Sequence, residues 1–173
     1  MDSRLRGNDK TYGAIMSIDY RIAAANELAQ IADLRWRLHV DDEPVVDRGA
    51  YERFIAEFLD IHEAEWKSNE VTHWVAVNSD RIVAVMSVVI VRKIPRPGNL
   101  HGRWGYLANS YALPEVRNAG MGSQLLAAIR SWAIGESLEL LVVWPSDRAY
   151  PFYERIGFRR YPDPVVLRLA PPA

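Results

Sequence analysis

The hydrophobic positions along this chain change period several times, and each change predicts a boundary between helix and strand. In residues 51–66 apolar side chains recur every three or four positions, which places them on one face of a helix. In residues 18–22 and 71–77 the period is two, as in a strand. The predicted elements, in chain order, are a strand at 18–22, helices at 26–39 and 51–66, strands at 71–77, 81–91 and 104–112, a helix at 120–135, a strand at 138–144, a helix at 146–156 and a strand near 165–169.

Individual residues predict where several of these elements end. Asn26 is the predicted N-cap of the first helix, because its side chain can accept a hydrogen bond from the first turn. The acidic segment 41–44 ends in a proline, which restrains the residue before it away from helix, so we expect a break there. Residues 138–144 are rich in leucine and valine and predict a buried strand. Gly157 is the predicted C-terminal cap of the last helix.

The length of 173 residues and the 49% apolar content suit one domain with a sizeable core. Strands and helices alternate without an internal repeat or a linker, so we predict a single mixed α/β domain over residues 17–173. Residues 1–16 have neither period and are predicted to form a disordered tail. Met16 directly precedes the first strand, and we hypothesise that translation naturally starts there; N-terminal sequencing of the native protein tests this.

Composition excludes several classes of site and partner. The absence of cysteine excludes disulfides, thiolate metal sites and cysteine nucleophiles, and four scattered histidines do not predict a metal site. The most apolar run, 82–91, is half the roughly 20 residues of a membrane span, and no signal peptide is evident, so we expect a cytoplasmic protein. A net charge of −1 argues against a dedicated nucleic-acid binder.

Residues 111–124 carry the strongest chemical signal, because a predicted strand ends there and Gly120 and Gly122 open an amphipathic helix. Backbone N–H groups ahead of the first helical hydrogen bond stay unpaired at the positive end of the helix dipole, and glycines leave them accessible to a phosphate or diphosphate. The turn is not a P-loop, because no lysine follows Lys93, and Leu125 stands where a dinucleotide fingerprint needs its third glycine. An ordinary turn before a helix stays open on these residues alone.

Two motifs together resemble one family. Arg117-x-x-Gly120-x-Gly122 after a strand resembles the acyl-CoA signature of the GNAT superfamily of N-acetyltransferases. Residues 150–158, in which a tyrosine is followed by a Gly-Phe pair, resemble its second signature, and the element order over residues 18–169 also matches. The resemblance implies a single-domain GNAT-like fold. Its mixed central sheet would have an antiparallel N-terminal meander and splayed parallel strands, flanked by about four helices.

The resemblance implies acetyl-CoA as acyl donor. In the family the pantetheine arm lies in a gap between diverging parallel strands, a role that falls here on the backbone of Ala112 and Leu113. The diphosphate would rest on amides of the glycine turn, with Arg117 adding a cation at the rim. Ser146 stands where many members carry an asparagine. The residues implied in cofactor binding are Ala112, Leu113, Arg117, Asn118, Ala119, Gly120, Met121, Gly122, Ser123, Ser146 and Tyr150.

The resemblance also implies that Tyr153 is the catalytic acid, since a phenol near the sulfur can protonate the departing thiolate. The alternative is a tyrosine packed in the core. A family base is missing, because the strand over residues 107–111 has no carboxylate. Asn109 and Tyr111 share one strand face and are expected to line the acceptor site, in an Asn-x-Tyr pair similar to small bacterial members. Asp41, Asp42 and Glu43, between the first two helices, are candidate amine anchors, with a solvated acidic loop as the alternative.

The sequence therefore predicts an N-acetyltransferase that transfers acetyl from acetyl-CoA directly to a primary amine. The sequence does not specify the acceptor, which is a small molecule or a peptide. It does not specify the oligomeric state either, so a homodimer stays open. The alternative function is a non-catalytic CoA-binding regulatory or interaction domain, motivated by the missing carboxylate. A nucleotide-dependent enzyme is disfavoured by the two phosphate motifs that do not match.

Overall fold

The structure is a computed structural model that describes residues 17–42, 47, 49–68 and 70–160, without the side chains of residues 42 and 63–67. The predicted tail at 1–16, Glu43 and the strand predicted near 165–169 lie outside the described residues. The elements are β1 (Ile18–Ile22), α1 (Leu28–Asp42), α2 (Ala50–Ser68), β2 (Val71–Asn78), β3 (Arg81–Arg92), β4 (Arg103–Ala112), α3 (Met121–Gly135), β5 (Leu141–Val143) and α4 (Tyr150–Arg155). Among the described helices, none is long and apolar enough to cross a membrane.

The described strands form one sheet in the order β1-β2-β3-β4-β5. The first four strands pair antiparallel and β5 joins β4 in parallel, which confirms the mixed sheet and the meander. Neighbouring residues of β2 show which helix covers each face, because successive strand side chains point to opposite sides. The His73 ring lies 5.5 Å from His62 of α2, whereas the Trp74 ring lies 5.9 Å from Trp132 of α3. Helices thus cover both faces and bury a core centred on β2 and β3.

The start and end of α1 differ from the prediction. A short 3-10 turn precedes α1, and its N-cap is Ala24 rather than Asn26. Glu27 stabilises this start in place of an asparagine side chain, because its Oε2 accepts a hydrogen bond of 2.6 Å from the Ala24 N–H. The helix α1 continues past the predicted end at residue 39 and ends at Asp42, within the acidic segment where the break was expected.

The strand β5 is shorter and more exposed than predicted. The strand covers only Leu141–Val143, although the Glu139 N–H also donates to the Arg103 carbonyl and the Gly105 N–H to the Leu140 carbonyl of the segment before it. The three strand residues are half-buried, and Trp144 is largely exposed. The reason is that the residues before the strand close α3. The Leu138 N–H donates to the Ala133 carbonyl at 2.9 Å, so Leu138 belongs to the helix end rather than to the strand predicted over 138–144.

The end of α4 follows the prediction. Gly157 adopts a left-handed φ of +103° directly after the helix, the conformation that glycine accommodates without strain. The N–H groups of Gly157 and Phe158 donate to the carbonyls of Glu154 and Tyr153, each at 3.1 Å. These paired bonds form a Schellman cap, which holds Tyr153 in the last turn of the helix.

Candidate functional site

The pairing between β4 and β5 ends before β4 does, which leaves a gap beside the last part of β4. The two parallel strands pair only from Gly105 to Leu107, opposite Leu141 to Val143, while β4 continues to Ala112. Beyond Leu107 the backbone of β4 keeps its pairing with β3 but has no partner in β5 among the described residues. This is the divergence of parallel strands that the family resemblance implies, and it places residues 108–112 along an open edge.

The glycine turn follows this edge and presents a row of free amides. Within the described part of the chain, no hydrogen bond takes the backbone N–H groups of residues 118–122. Asn118 and Gly120 both have left-handed φ angles, +64° and +80°, which reverse the chain direction immediately before α3. Five consecutive N–H groups at the N-terminus of a helix suit a doubly charged diphosphate, so these residues fit the CoA diphosphate.

The two glycines of the turn serve different purposes. Gly120 lies in open space and is required by its φ angle, because an L side chain there is strained. A Cβ on Gly122 would lie 3.2 Å from the ring of Phe152, so this glycine allows α3 to approach α4 closely. The sequence argument, that both glycines keep side chains away from an anion, does not capture the packing role of Gly122.

Tyr153 belongs to the buried core, as its core-packing alternative expects, and its hydroxyl donates to the stretch of β4 that has no β5 partner. The side chain is 5% exposed, and its ring makes edge contacts with Phe152 and Phe158. Its Oη lies 3.1 Å from the Oγ of Ser110, on the part of β4 that β5 has left. Burial raises the pKa of the Tyr153 phenol above its usual value, so the group is a protonated donor at neutral pH.

Ser110 was not identified from the sequence. It stands between two residues that were selected, Asn109 and Tyr111, but its side chain lies on the opposite side of the strand from Tyr111. Strand alternation from Tyr111 predicts that separation. The sequence carries no signal that Ser110 would meet Tyr153, which lies 43 residues further along the chain.

Tyr111 and Arg117 meet an acidic residue from the end of α1. The Tyr111 hydroxyl donates to Asp41 Oδ2 at 3.1 Å, and Arg117 Nη2 donates to the same oxygen at 2.7 Å. Arg117 also donates from Nε to the Ala112 carbonyl at 2.9 Å and lies over the Tyr111 ring. The guanidinium lowers the pKa of the Asp41 carboxyl, so Asp41 is ionised at neutral pH. In this structure Arg117 therefore faces α1, and its role at the diphosphate rim stays a prediction.

A buried polar chain supports β4 from the α2 side. The His73 Nδ1 lies 2.7 Å from Ser87 Oγ, and Asn109 Nδ2 donates to that oxygen at 3.4 Å. His73 and Ser87 are 3% exposed, and burial lowers the pKa of His73 to about 4. Asn109 is a non-glycine residue at φ +50°, where β4 shifts register against β3 between Val85 and Ser87. These hydrogen-bonded side chains thus hold a strained bulge of β4 in place beside Tyr153.

The remaining predicted residues lie around this centre. Ser146 is exposed and precedes the 3-10 turn that leads into α4. Tyr150 is half-buried, with the guanidinium of Arg160 4.2 Å from its ring centroid. Neither residue contacts Tyr153 through a described hydrogen bond, and their roles toward the cofactor stay predictions. Within the described ranges no group of histidine and acidic side chains is arranged to hold a metal ion.

Known proteins share this fold. Residues 28–158 match the model of the Acetyltransferase (GNAT) family. A predicted acetyltransferase from Clostridium acetobutylicum, solved with acetyl-CoA, superposes with a TM-score of 0.73 at 22% identity, covering 88% of this chain and 97% of the other. A GCN5-related N-acetyltransferase from Ralstonia eutropha gives 0.71 at 17% identity, covering 89% and 100%.

Sequence similarity to a curated protein is more limited. Glucosamine 6-phosphate N-acetyltransferase of Trypanosoma brucei brucei is 28% identical over 89 residues, or 51% of this chain. The match spans 58% of the length of that relative. The family model covers most of the chain, and the open strand edge, the free amides and the buried tyrosine lie inside the matched range. The chain therefore belongs to the GNAT family of acetyltransferases.

Proposed function

We propose that this protein is an N-acetyltransferase that uses acetyl-CoA to acetylate a primary amine directly, without a covalent enzyme intermediate. The observation that carries the proposal is the Tyr153 hydroxyl, which lies at the gap between β4 and β5 and is bonded to the open edge of β4. A phenol in that position can donate a proton to a group held in the gap.

The residues divide the work between binding and proton transfer. Acetyl-CoA supplies the acetyl group as an activated thioester. The free amides of residues 118–122 bind the diphosphate. The pantetheine arm lies along the end of β4 at Ala112 and Leu113, where the Leu113 N–H is bonded to Val83 of β3 and the Ala112 carbonyl to Arg117. Tyr153 donates its proton to the sulfur as the thioester is cleaved. Its burial excludes water from the reacting atoms and keeps the phenol protonated.

The acceptor enters from the side of β4 that faces α1, and its amine meets the thioester at the edge of β4 that has no β5 partner, where side chains of both faces of β4 border the gap. Asn109 and Tyr111 line the entry, and Asp41 contributes the carboxylate among the three candidate anchors at residues 41–43. Glu43 and the side chain of Asp42 lie outside what the structure describes. The glucosamine 6-phosphate N-acetyltransferase among the relatives acetylates an amino sugar, so amino-sugar phosphates belong in an acceptor screen together with polyamines, amino acids and peptides.

A screen of thiol release from acetyl-CoA across that amine library tests the proposal. We expect turnover with at least one amine, and a fall in kcat of about 10²-fold or more in Tyr153→Phe with unchanged CoA affinity by calorimetry. Tyr20→Phe, a half-buried tyrosine of β1, serves as the matched control. CoA binding without turnover on any amine would instead support a non-catalytic CoA-binding domain.

A further inference from the structure

Among the described residues, Ser110 has the one hydroxyl that is hydrogen-bonded to Tyr153. The Tyr153 hydroxyl donates to the Ser110 Oγ at 3.1 Å, and Ser110 is half-buried on the stretch of β4 that has no β5 partner. The described residues of β4 around it, 107–111, contain no carboxylate. Nucleophilic attack by an amine requires that the nitrogen lose a proton, so a group within reach of the gap has to accept it.

The backbone at Ser110 is held in a specific conformation. Residues Ala108 and Tyr111 pair with Ser87 and Val85, so Asn109 and Ser110 together stand opposite Met86 in a bulge. The Asn109 side chain is tied to Ser87, which in turn is bonded to His73. These contacts fix the bulge, and the bulge sets the direction of the Ser110 hydroxyl toward α4.

We propose that Ser110 is a catalytic residue that passes the proton of the acceptor amine to Tyr153. The inference rests on the proposed acetyl transfer. For this step the Tyr153 hydroxyl turns from the Ser110 oxygen to the sulfur, and the Ser110 hydroxyl turns to the Tyr153 oxygen. As the C–N bond forms and the C–S bond breaks, the Ser110 oxygen accepts the proton from nitrogen and gives its own proton to the Tyr153 oxygen. Tyr153 gives its proton to the sulfur. One proton leaves nitrogen, one reaches sulfur, and both hydroxyls end as they began.

The chemistry of the two groups requires this coupling. A serine hydroxyl both donates and accepts hydrogen bonds, but it is far too weak an acid to lose its proton without regaining one in the same step. Its neighbour Tyr153 is a donor whose phenolate, once formed, is stabilised by the Ser110 O–H. A relay through both hydroxyls serves as base and acid together, and it needs no carboxylate on β4.

A double-mutant cycle on the acceptor found in the amine screen tests the relay. We expect Ser110→Ala to lower kcat by about 10- to 100-fold with an unchanged KM for acetyl-CoA, and Ser110→Thr, which keeps the hydroxyl, to retain most of the rate. The double variant with Tyr153→Phe should be no slower than Tyr153→Phe alone, because the two residues act as one unit. Ser131→Ala, an exposed serine of α3, is the matched control.

A second measurement needs neither cofactor nor turnover. In the cofactor-free protein, the pKa of Tyr153 can be followed by NMR of ring-labelled tyrosine, with Tyr153→Phe to assign its signal. Ser110→Ala should raise the pKa of Tyr153 further, since the serine hydroxyl stabilises the phenolate.

The outcomes separate the two levels of the argument. Absence of acetyl transfer to any amine by the unmodified protein would overturn the proposed function. A transferase that is slowed by Tyr153→Phe but keeps its kcat in Ser110→Ala would overturn the relay alone. Multiplicative rate losses in the double variant would also overturn it, because independent contributions are incompatible with one proton path.

Discussion

Replacing Gly120 by alanine tests two properties of the glycine turn, its backbone strain at residue 120 and the binding of CoA by its amides. Gly120 has a φ of +80°, and a Cβ there would meet no atom within 4 Å. The chain offers a close match in Gly98, which has a φ of +81° in an equally open position in the loop between β3 and β4. Both alanine variants therefore carry the same backbone strain and no clash, but only Gly120 lies among the free amides.

The expected loss of stability follows from the left-handed conformation. An L residue there costs roughly 1–2 kcal/mol, and the smaller entropy of an unfolded chain with alanine offsets part of it, which leaves about 1 kcal/mol. For a chain of this size about 1 kcal/mol lowers Tm by about 2–4 °C, equally in both variants. If the turn instead relaxes at residue 120, the variant regains stability but loses the alignment of its amides.

Calorimetric titration with CoA then distinguishes the two positions. Loss of one hydrogen bond to a charged group costs about 1.5–3 kcal/mol, so Gly120→Ala should weaken CoA binding by about tenfold or more, while Gly98→Ala should bind normally. Wild-type CoA affinity in a folded Gly120→Ala variant would refute the assignment of the diphosphate to these amides. Unchanged stability in both variants would refute the strain argument.

Three further predictions follow from other contacts. Gly105→Ala should destabilise the protein by about 1–3 kcal/mol in denaturant titrations, because its Cβ would lie 2.7 Å from a Leu141 methyl and 2.8 Å from a Val88 methyl. A loss of stability no larger than that of Gly98→Ala would contradict this packing. Asp41→Asn should tighten CoA binding by about two- to fivefold, the scale of an exposed ion pair, because it releases Arg117 toward the turn. The control variant Asp19→Asn should leave CoA affinity unchanged. Equal CoA affinity in Asp41→Asn and the wild type would place Arg117 outside the CoA site. The folded state holds the pKa of His73 at about 4, against 6.5 in the unfolded chain. Between pH 7 and pH 5 the unfolded state therefore binds more protons, and the free energy of unfolding should fall by about 2 kcal/mol. A His73→Gln variant should lack most of that dependence, and an unchanged slope would contradict the burial of a neutral imidazole.

Local patterns were sufficient to predict most elements and the type of site. The period-two and helical segments predicted β1, α2 and α3 closely, since one buried face imposes its own spacing on the chain. The Arg117-x-x-Gly120-x-Gly122 turn and the tyrosine at position 153 pointed to acyl-CoA chemistry, because both motifs are contiguous in sequence. The ends were less accurate at α1 and β5, where a glutamate cap and a helix-closing turn replaced the predicted signals.

The contacts between distant segments came only from the folded chain. That Ser110 meets Tyr153, and that Asp41 meets both Tyr111 and Arg117, depends on where β4 leaves β5 and where α1 ends. Periodicity assigns a residue to a face, but it does not say which residue of another element lies opposite. The sequence by itself thus determined the family of the protein and predicted that the glycine turn binds an anion. Only tertiary packing decided that the Ser110 hydroxyl lies beside Tyr153 and that the Asp41 carboxylate lies beside Arg117.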